Sequence, residues 1–187
     1  TACDIDNIMI EVDGPEIPIL DGSSKIFLDK IEKAKIVQQK KKTHKVELPN
    51  YFKVEHENSK IEFYPQNNLE IEVTIDYQSS ILTPQKAKMN DLSKFKKDIS
   101  SARTFCFLHE LDHLINNNLI KGGDINNGIV FIENETAIED LGELKKLLPK
   151  GISQLKPGVL NNKKMLYNNE QAKHKLLDLI GDITLSG

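Results

Sequence analysis

Apolar and polar residues alternate in two stretches of the chain. In LEIEVTI (69–75), Leu69, Ile71, Val73 and Ile75 take every second position between Glu and Thr, the period of a strand buried on one face. NIMIEV (7–12) repeats the pattern with Ile8, Ile10 and Val12, and predicts a second half-buried strand. KVEL (45–48), a segment near 51–56, IEFY (61–64) and GIVFI (128–132) read as further strands, with HENSK (56–60) as a hairpin turn. Elsewhere the period lengthens. Phe27, Ile31 and Ala34 predict a helix over about 24–36, entered through a DGSS turn whose serines can cap it. Leu92, Phe95 and Ile99 predict a short one. Strands followed by helices give an α+β fold rather than a parallel α/β sheet.

Two further helices carry the candidate chemistry. FLHELDHL (107–114) contains His109-Glu110-Leu111-Asp112-His113, which fits H-E-x-x-H, a zinc-peptidase pattern. On a helical wheel, however, Phe107, Leu108, Leu111, Leu114 and Ile115 form one apolar stripe, and His109 and His113 lie almost opposite it. Those histidines should face water. Glu135 is a tempting third ligand, but Gly122-Gly123 and the GIVFI strand intervene. The rival is His174-Lys175-Leu176-Leu177-Asp178. Here Ala172, Leu176, Leu177, Leu179 and Ile180 cover nearly half the circumference, and His174, Asp178 and Asp182 form a narrow polar stripe on the rest. A His/Asp pair one turn apart on a buried helix either hydrogen-bonds internally or reaches one metal ion. The spacing leaves both open.

Bulk properties narrow the classes. The chain has 187 residues, 39% hydrophobic and 28% charged, as an ordinary globular protein does. A net charge of −3 spreads no basic field and argues against a general nucleic-acid binder. Two cysteines, Cys3 and Cys106, make no disulfide framework and suit a reducing cytoplasm. No apolar run approaches the roughly 18–20 residues that span a bilayer, so stable membrane insertion is not expected. TACDIDNIMI has neither an initiator Met nor a basic leader, GDITLSG stops directly after a helix, and both ends read as cut. QQKKKTH (38–44) is the most polar stretch and the best linker.

Four segments occur together in order: IDNIMIEVDGPEIPILDGSS, SARTFCFL, LIKGGDINNGIVF and HKLLDLIGD. With them the chain resembles the UDP-3-O-acyl-N-acetylglucosamine deacetylase (LpxC) family along essentially all 187 residues. The resemblance implies a two-domain zinc amidase that removes acetate from a UDP-sugar lipid precursor in the cytoplasm, the committed step of lipid A biosynthesis. It implies that residues 1–37 end the first α+β domain, 38–43 link, and 44–187 form most of the second, with an acyl-passage insert near 105–130. His174 and Asp178 match two Zn²⁺ ligands, and Lys175 a lysine that contacts substrate. Asp182 matches the aspartate that orients a catalytic histidine, and Thr104 a threonine that helps hold the developing oxyanion. Phe105 and Phe107 match aromatics on the nucleotide and substrate side.

The same resemblance places HELDH on the passage helix, away from metal. The family's S/T-x-E-H motif, with its base Glu and third ligand, and its acid histidine find no match between residues 1 and 187; Val54-Glu55-His56 is only a partial likeness. On that ground the segment alone is expected to bind metal weakly and turn over little. The Asn- and Lys-rich style around RTFCFLHEL resembles forms of the family fused to a 3-hydroxyacyl-carrier-protein dehydratase. The rival classes are a zinc peptidase on HELDH and a non-catalytic remnant of the fold.

Overall fold

A computed structural model of the chain describes residues 2–41, 48–117, 125–148 and 153–185. It is a mixed α+β arrangement of small sheets with helices packed on them. Helix α1 (Lys25–Lys33) follows the DGSS turn, as the apolar spacing predicts, and buries Leu28. The serines act differently from expectation. Ser24 occupies the cap position without a side-chain cap bond and donates instead to the Ser100 carbonyl, while the Ser23 hydroxyl accepts from Lys25 N–H at 3.3 Å.

Strands β1 (Phe52–His56) and β2 (Ser59–Phe63) form the hairpin read from HENSK. Register sets Phe52 opposite Phe63 and Val54 opposite Ile61, so one face is apolar, whereas Lys53 opposes Glu62 and Glu55 opposes Lys60 on the other. Strands β3 (Ile71–Ile75) and β4 (Gln85–Met89) pair antiparallel. Ile71, Val73 and Ile75 face inward as the alternation requires, but Leu69 lies before the strand and is 46% exposed. After a 3₁₀ turn (Leu92–Lys94) comes the one-turn helix α2 (Phe95–Asp98), with Phe95 and Ile99 buried.

A third, three-stranded sheet runs β5 (Phe105–Phe107), β6 (Ile129–Ile132), β9 (Gly158–Val159), with β5 and β6 parallel and α3 (Leu108–Asn116) crossing between them. All four residues of β6 are buried, which explains its uninterrupted IVFI run. A small ladder of β7 (Thr136–Ala137) and β8 (Gln154–Leu155) and a 3₁₀ stretch (Ile138–Leu147) close this half. Helix α4 (Glu170–Thr184) lays Ala172, Leu176 and Ile180 on Ile75, Ala87 and Met89, with Phe95, Ile99 and Leu28 completing the cluster. Burying a Leu such as Leu176, which is 0% exposed, contributes about 1.5–3 kcal/mol.

One strand expectation fails. Residues 7–12 are not a strand, and Ile8, Ile10 and Val12 are 56%, 65% and 43% exposed. Alternation is satisfied only when a neighbour takes the backbone hydrogen bonds, and among the described residues none pairs with this segment. KVEL falls outside the described residues except for Leu48, as do the KGGD residues 121–124 of the passage insert. No helix of the described residues is long and apolar enough to cross a membrane.

Candidate metal centre

The SARTF segment runs from the end of the short helix into β5 and passes beside the first turns of α4. His174 is 9% exposed, and its Nδ1 lies 2.9 Å from the Ala102 carbonyl oxygen. A carbonyl only accepts, so Nδ1 is the nitrogen that carries a proton here, which leaves Nε2 as the position that can offer a lone pair. That Nε2 lies 3.5 Å from Oδ1 of Asp178, one turn along the helix. Lys175 Nζ stands 3.1 Å from Oδ2 of the same carboxylate and 5.7 Å from the Phe105 ring centroid. His174 and Asp178, which share a face on the wheel, therefore stand side by side, with Lys175 next to them.

The 3.5 Å separation is compatible with a shared metal ion. A charge-assisted N–H···O⁻ bond spans about 2.7–2.9 Å, so the two groups are too far apart for a good direct bond. Two ligands of a tetrahedral Zn²⁺, with metal–N and metal–O lengths near 2.1 Å, stand roughly 3.4 Å apart. The donor set fits zinc: an imidazole locked in one tautomer by a backbone carbonyl, and a carboxylate oxygen at the right distance. Among the described residues no group of three or more His, Cys, Asp or Glu converges on a metal position, so this pair could offer two ligands where a catalytic zinc takes three. Burial pushes the nearby Cys106 thiol up to about 12, with Glu110 adding to the effect, which keeps it protonated and unsuited to ligation.

Around the pair lies an aromatic bed. Phe105 and Phe107 meet Phe131 at 6.1 and 5.8 Å between centroids, and Tyr77 stands edge-on to Phe105 at 5.7 Å and to Phe107 at 5.5 Å. Phe107 is 4% exposed, so it supports the bed from beneath; the ring open to solvent is Tyr77, 42% exposed, which the sequence reading did not single out. Its phenol is held above its ordinary range by partial burial, with Glu110 and Asp178 adding to the shift against the opposing charge of Lys175. Tyr77 follows the alternating strand by two residues, and that position was its only signal.

Thr104 is held by backbone on three sides. Its N–H donates to the Gly22 carbonyl at 2.7 Å and its carbonyl accepts from Ile129 N–H at 2.9 Å. Its methyl packs against Gly22 and Gly128: a Cβ at either would lie 3.1 or 3.2 Å from Thr104 Cγ2, and one at Gly22 only 2.0 Å from the Asn127 carbonyl oxygen. Gly22, at φ +81°, thus lets the DGSS turn seat against SARTF. The Thr104 hydroxyl makes no hydrogen bond to any described residue. Asp182, expected within the polar stripe, is exposed near the end of α4, two turns from His174.

The rival motif has none of this support. His109 is exposed, stacks on Phe107 at 5.6 Å and has its Nδ1 3.8 Å from Glu133. His113 is exposed and its Nδ1 lies 3.3 Å from Asn117 Nδ2. Glu110 turns back to accept from Phe107 N–H at 2.7 Å, which caps α3 and draws its carboxylate away from both histidines.

The LpxC family model, described as UDP-3-O-acyl N-acetylglycosamine deacetylase, matches residues 1–145. The chain belongs to this family. A bifunctional enzyme LpxC/FabZ of Porphyromonas gingivalis is 38% identical over 197 residues, covering 100% of this chain and 41% of that protein. One from Bacteroides thetaiotaomicron is 36% identical over 191 residues, covering 100% and 41%. A UDP-3-O-acyl-N-acetylglucosamine deacetylase of Shewanella violacea is 34% identical over 186 residues, covering 98% of the chain and 53% of that protein. The chain thus spans about two fifths of the bifunctional LpxC relatives and about half of the single-function one. The family match stops at residue 145, ahead of α4, so the His174–Asp178 arrangement is an observation independent of it.

Proposed function

We propose that the whole protein removes the N-acetyl group of UDP-3-O-(3-hydroxyacyl)-N-acetylglucosamine in the cytoplasm, a zinc-dependent hydrolysis that commits its substrate to lipid A. The observation that carries this reading is the His174–Asp178 pair, set at a ligand–ligand distance with the imidazole tautomer fixed. The family membership and the deacetylase relatives support the substrate class. We further propose that residues 1–37 complete a first domain and 44–187 form most of a second, that a dehydratase domain accompanies them as in the bifunctional relatives, and that the third ligand, base Glu and acid His come from the rest of the protein.

His174 and Asp178 would hold the ion, which supplies Lewis-acid polarisation of the acetamide carbonyl and of water. The chain's own residues do the rest. Lys175 compensates the Asp178 carboxylate and offers its remaining N–H donors to the anionic substrate. Thr104, its methyl wedged between two glycines, presents a hydroxyl donor where oxyanion charge develops. Tyr77 and Phe105 offer ring faces, and Asp182 steadies the acid histidine. Zinc content and deacetylation of the whole protein test the reading. His174→Ala and Asp178→Ala should each abolish both; metal loss confined to His109→Ala would overturn it.

A further inference from the structure

Glu170 is 0% exposed, yet it is a carboxylate. It accepts four hydrogen bonds: from Arg103 Nε at 2.7 Å and Arg103 N–H at 3.1 Å on Oε1, and from Leu166 N–H at 2.6 Å and Arg103 Nη2 at 3.0 Å on Oε2. Arg103 Nη2 also reaches the Lys164 carbonyl at 2.7 Å. Such a burial is costly unless fully paired, and here it is fully paired. The arrangement matters because of which backbone it holds. The Arg103 N–H and the Ala102 C=O belong to one rigid peptide plane. Its N–H is bound by Glu170 and its oxygen by His174 Nδ1 at 2.9 Å, and these residues stand at i and i+4 on one face of α4.

We infer that Glu170 and Arg103 are positioning residues for the metal-binding imidazole, acting through the Ala102–Arg103 peptide that α4 clasps from both sides. The peptide cannot rotate to withdraw its oxygen from His174 without breaking the buried Glu170 bond. Nδ1 stays protonated and Nε2 stays aimed at Asp178 before any ion arrives. The same grip sets the start of the segment that carries Thr104, one residue on. The ionisation of both groups agrees: although burial opposes charge on Glu170, the Arg103 fork and backbone donors hold its carboxyl below the ordinary range, and the Glu170 bond raises Arg103 further.

This rests on the zinc-site reading above, and the test separates the two. In the whole protein, Zn²⁺ affinity is measured by chelator competition, and the hydrogen-bonded Nδ1–H of His174 is followed by NMR with ¹⁵N-labelled histidine in the zinc-free form. Glu170→Gln keeps the side-chain shape and removes the charge. The double variant Arg103→Met/Glu170→Leu replaces the ion pair with apolar volume, which preserves folding without restoring the clasp. Both should bind Zn²⁺ about 10–100-fold more weakly, the range for loss of a partner behind a ligand, and lose the protected Nδ1–H signal. Affinity within twofold of the parent in either folded variant, with that signal intact, would overturn the inference. His174→Ala that left zinc affinity unchanged would overturn the zinc-site reading, and the clasp with it.

Discussion

Helices α3 and α4 each carry a histidine and a carboxylate one turn apart, and only α4 holds its histidine buried beside the carboxylate. In α3 the histidines project into water and Glu110 is spent on capping. In α4 the imidazole is buried, its far nitrogen is bound to Ala102, and its near nitrogen faces Asp178. The local spelling is the same currency in both. What differs is the element each helix packs against: α3 sets Leu108, Leu111 and Ile115 against β6 and the 3₁₀ stretch, with its histidines on the open side, while α4 is sandwiched between β3–β4 and the SARTF segment. The pair in α4 is therefore distinguished by a third element that fixes the imidazole from behind.

The largest expected effect breaks that comparison directly. His174→Ala or Asp178→Ala should empty the whole protein of zinc and slow deacetylation on the order of 10³-fold or more, since several kcal/mol of charge stabilisation is lost and each 1.36 kcal/mol is tenfold. His109→Ala and His113→Ala should leave zinc content, read by atomic absorption, within experimental error of the parent. Equal losses from both helices would erase the distinction.

Much of this was legible in the residues because burial is periodic. The Ile71–Val73–Ile75 alternation, the HENSK turn and the apolar arc of α4 each predict their element, and the wheel separates His174 from His109 by the company each keeps. The same logic misread NIMIEV, since period two reports a face to bury without supplying a partner strand. It also passed over Arg103 and Glu170. Charged residues read as surface, and only tertiary structure reveals a carboxylate at 0% exposure with four donors. Glu170 does sit four residues before His174, so helical spacing held a signal that polarity concealed.

The two helices should also differ in how firmly they are tied down. Glu170→Ala leaves the partly buried Arg103 guanidinium without its carboxylate, with only the Lys164 carbonyl remaining, and should cost about 3 kcal/mol in chemical denaturation. Gly22→Ala comes next: a methyl 2.0 Å from a carbonyl oxygen, at φ +81°, should cost more than about 2 kcal/mol and loosen Thr104 with it. Glu110→Ala, at an exposed cap of α3, should cost only about 1 kcal/mol. A ranking with Glu110 above Glu170 would mean that α4 is not the anchored helix.

The smallest effect is a dependence on pH. Glu170 has a folded-state value depressed below its unfolded one of about 4.3, so its contribution is present in full above that value and is lost as pH falls through the folded value. Stability should therefore decline with acidification below about pH 4–5. Asp29 and Glu62 are also depressed, the first by Lys25 and Lys96 and the second by Lys60 and Tyr51, but both are solvent-facing pairs. Salt separates the classes, because roughly 1 M salt shortens the screening length to about 3 Å and silences exposed pairs while leaving buried ones largely intact. Denaturation midpoints between pH 3 and 6 in 1 M NaCl should keep a slope in the parent and become shallower in Glu170→Gln, with a remainder from Asp91, whose carboxyl is lowered by hydrogen bonds from Ser93. A slope that vanished in the parent at high salt would place the acid sensitivity at the surface and leave the buried clasp without an energetic role.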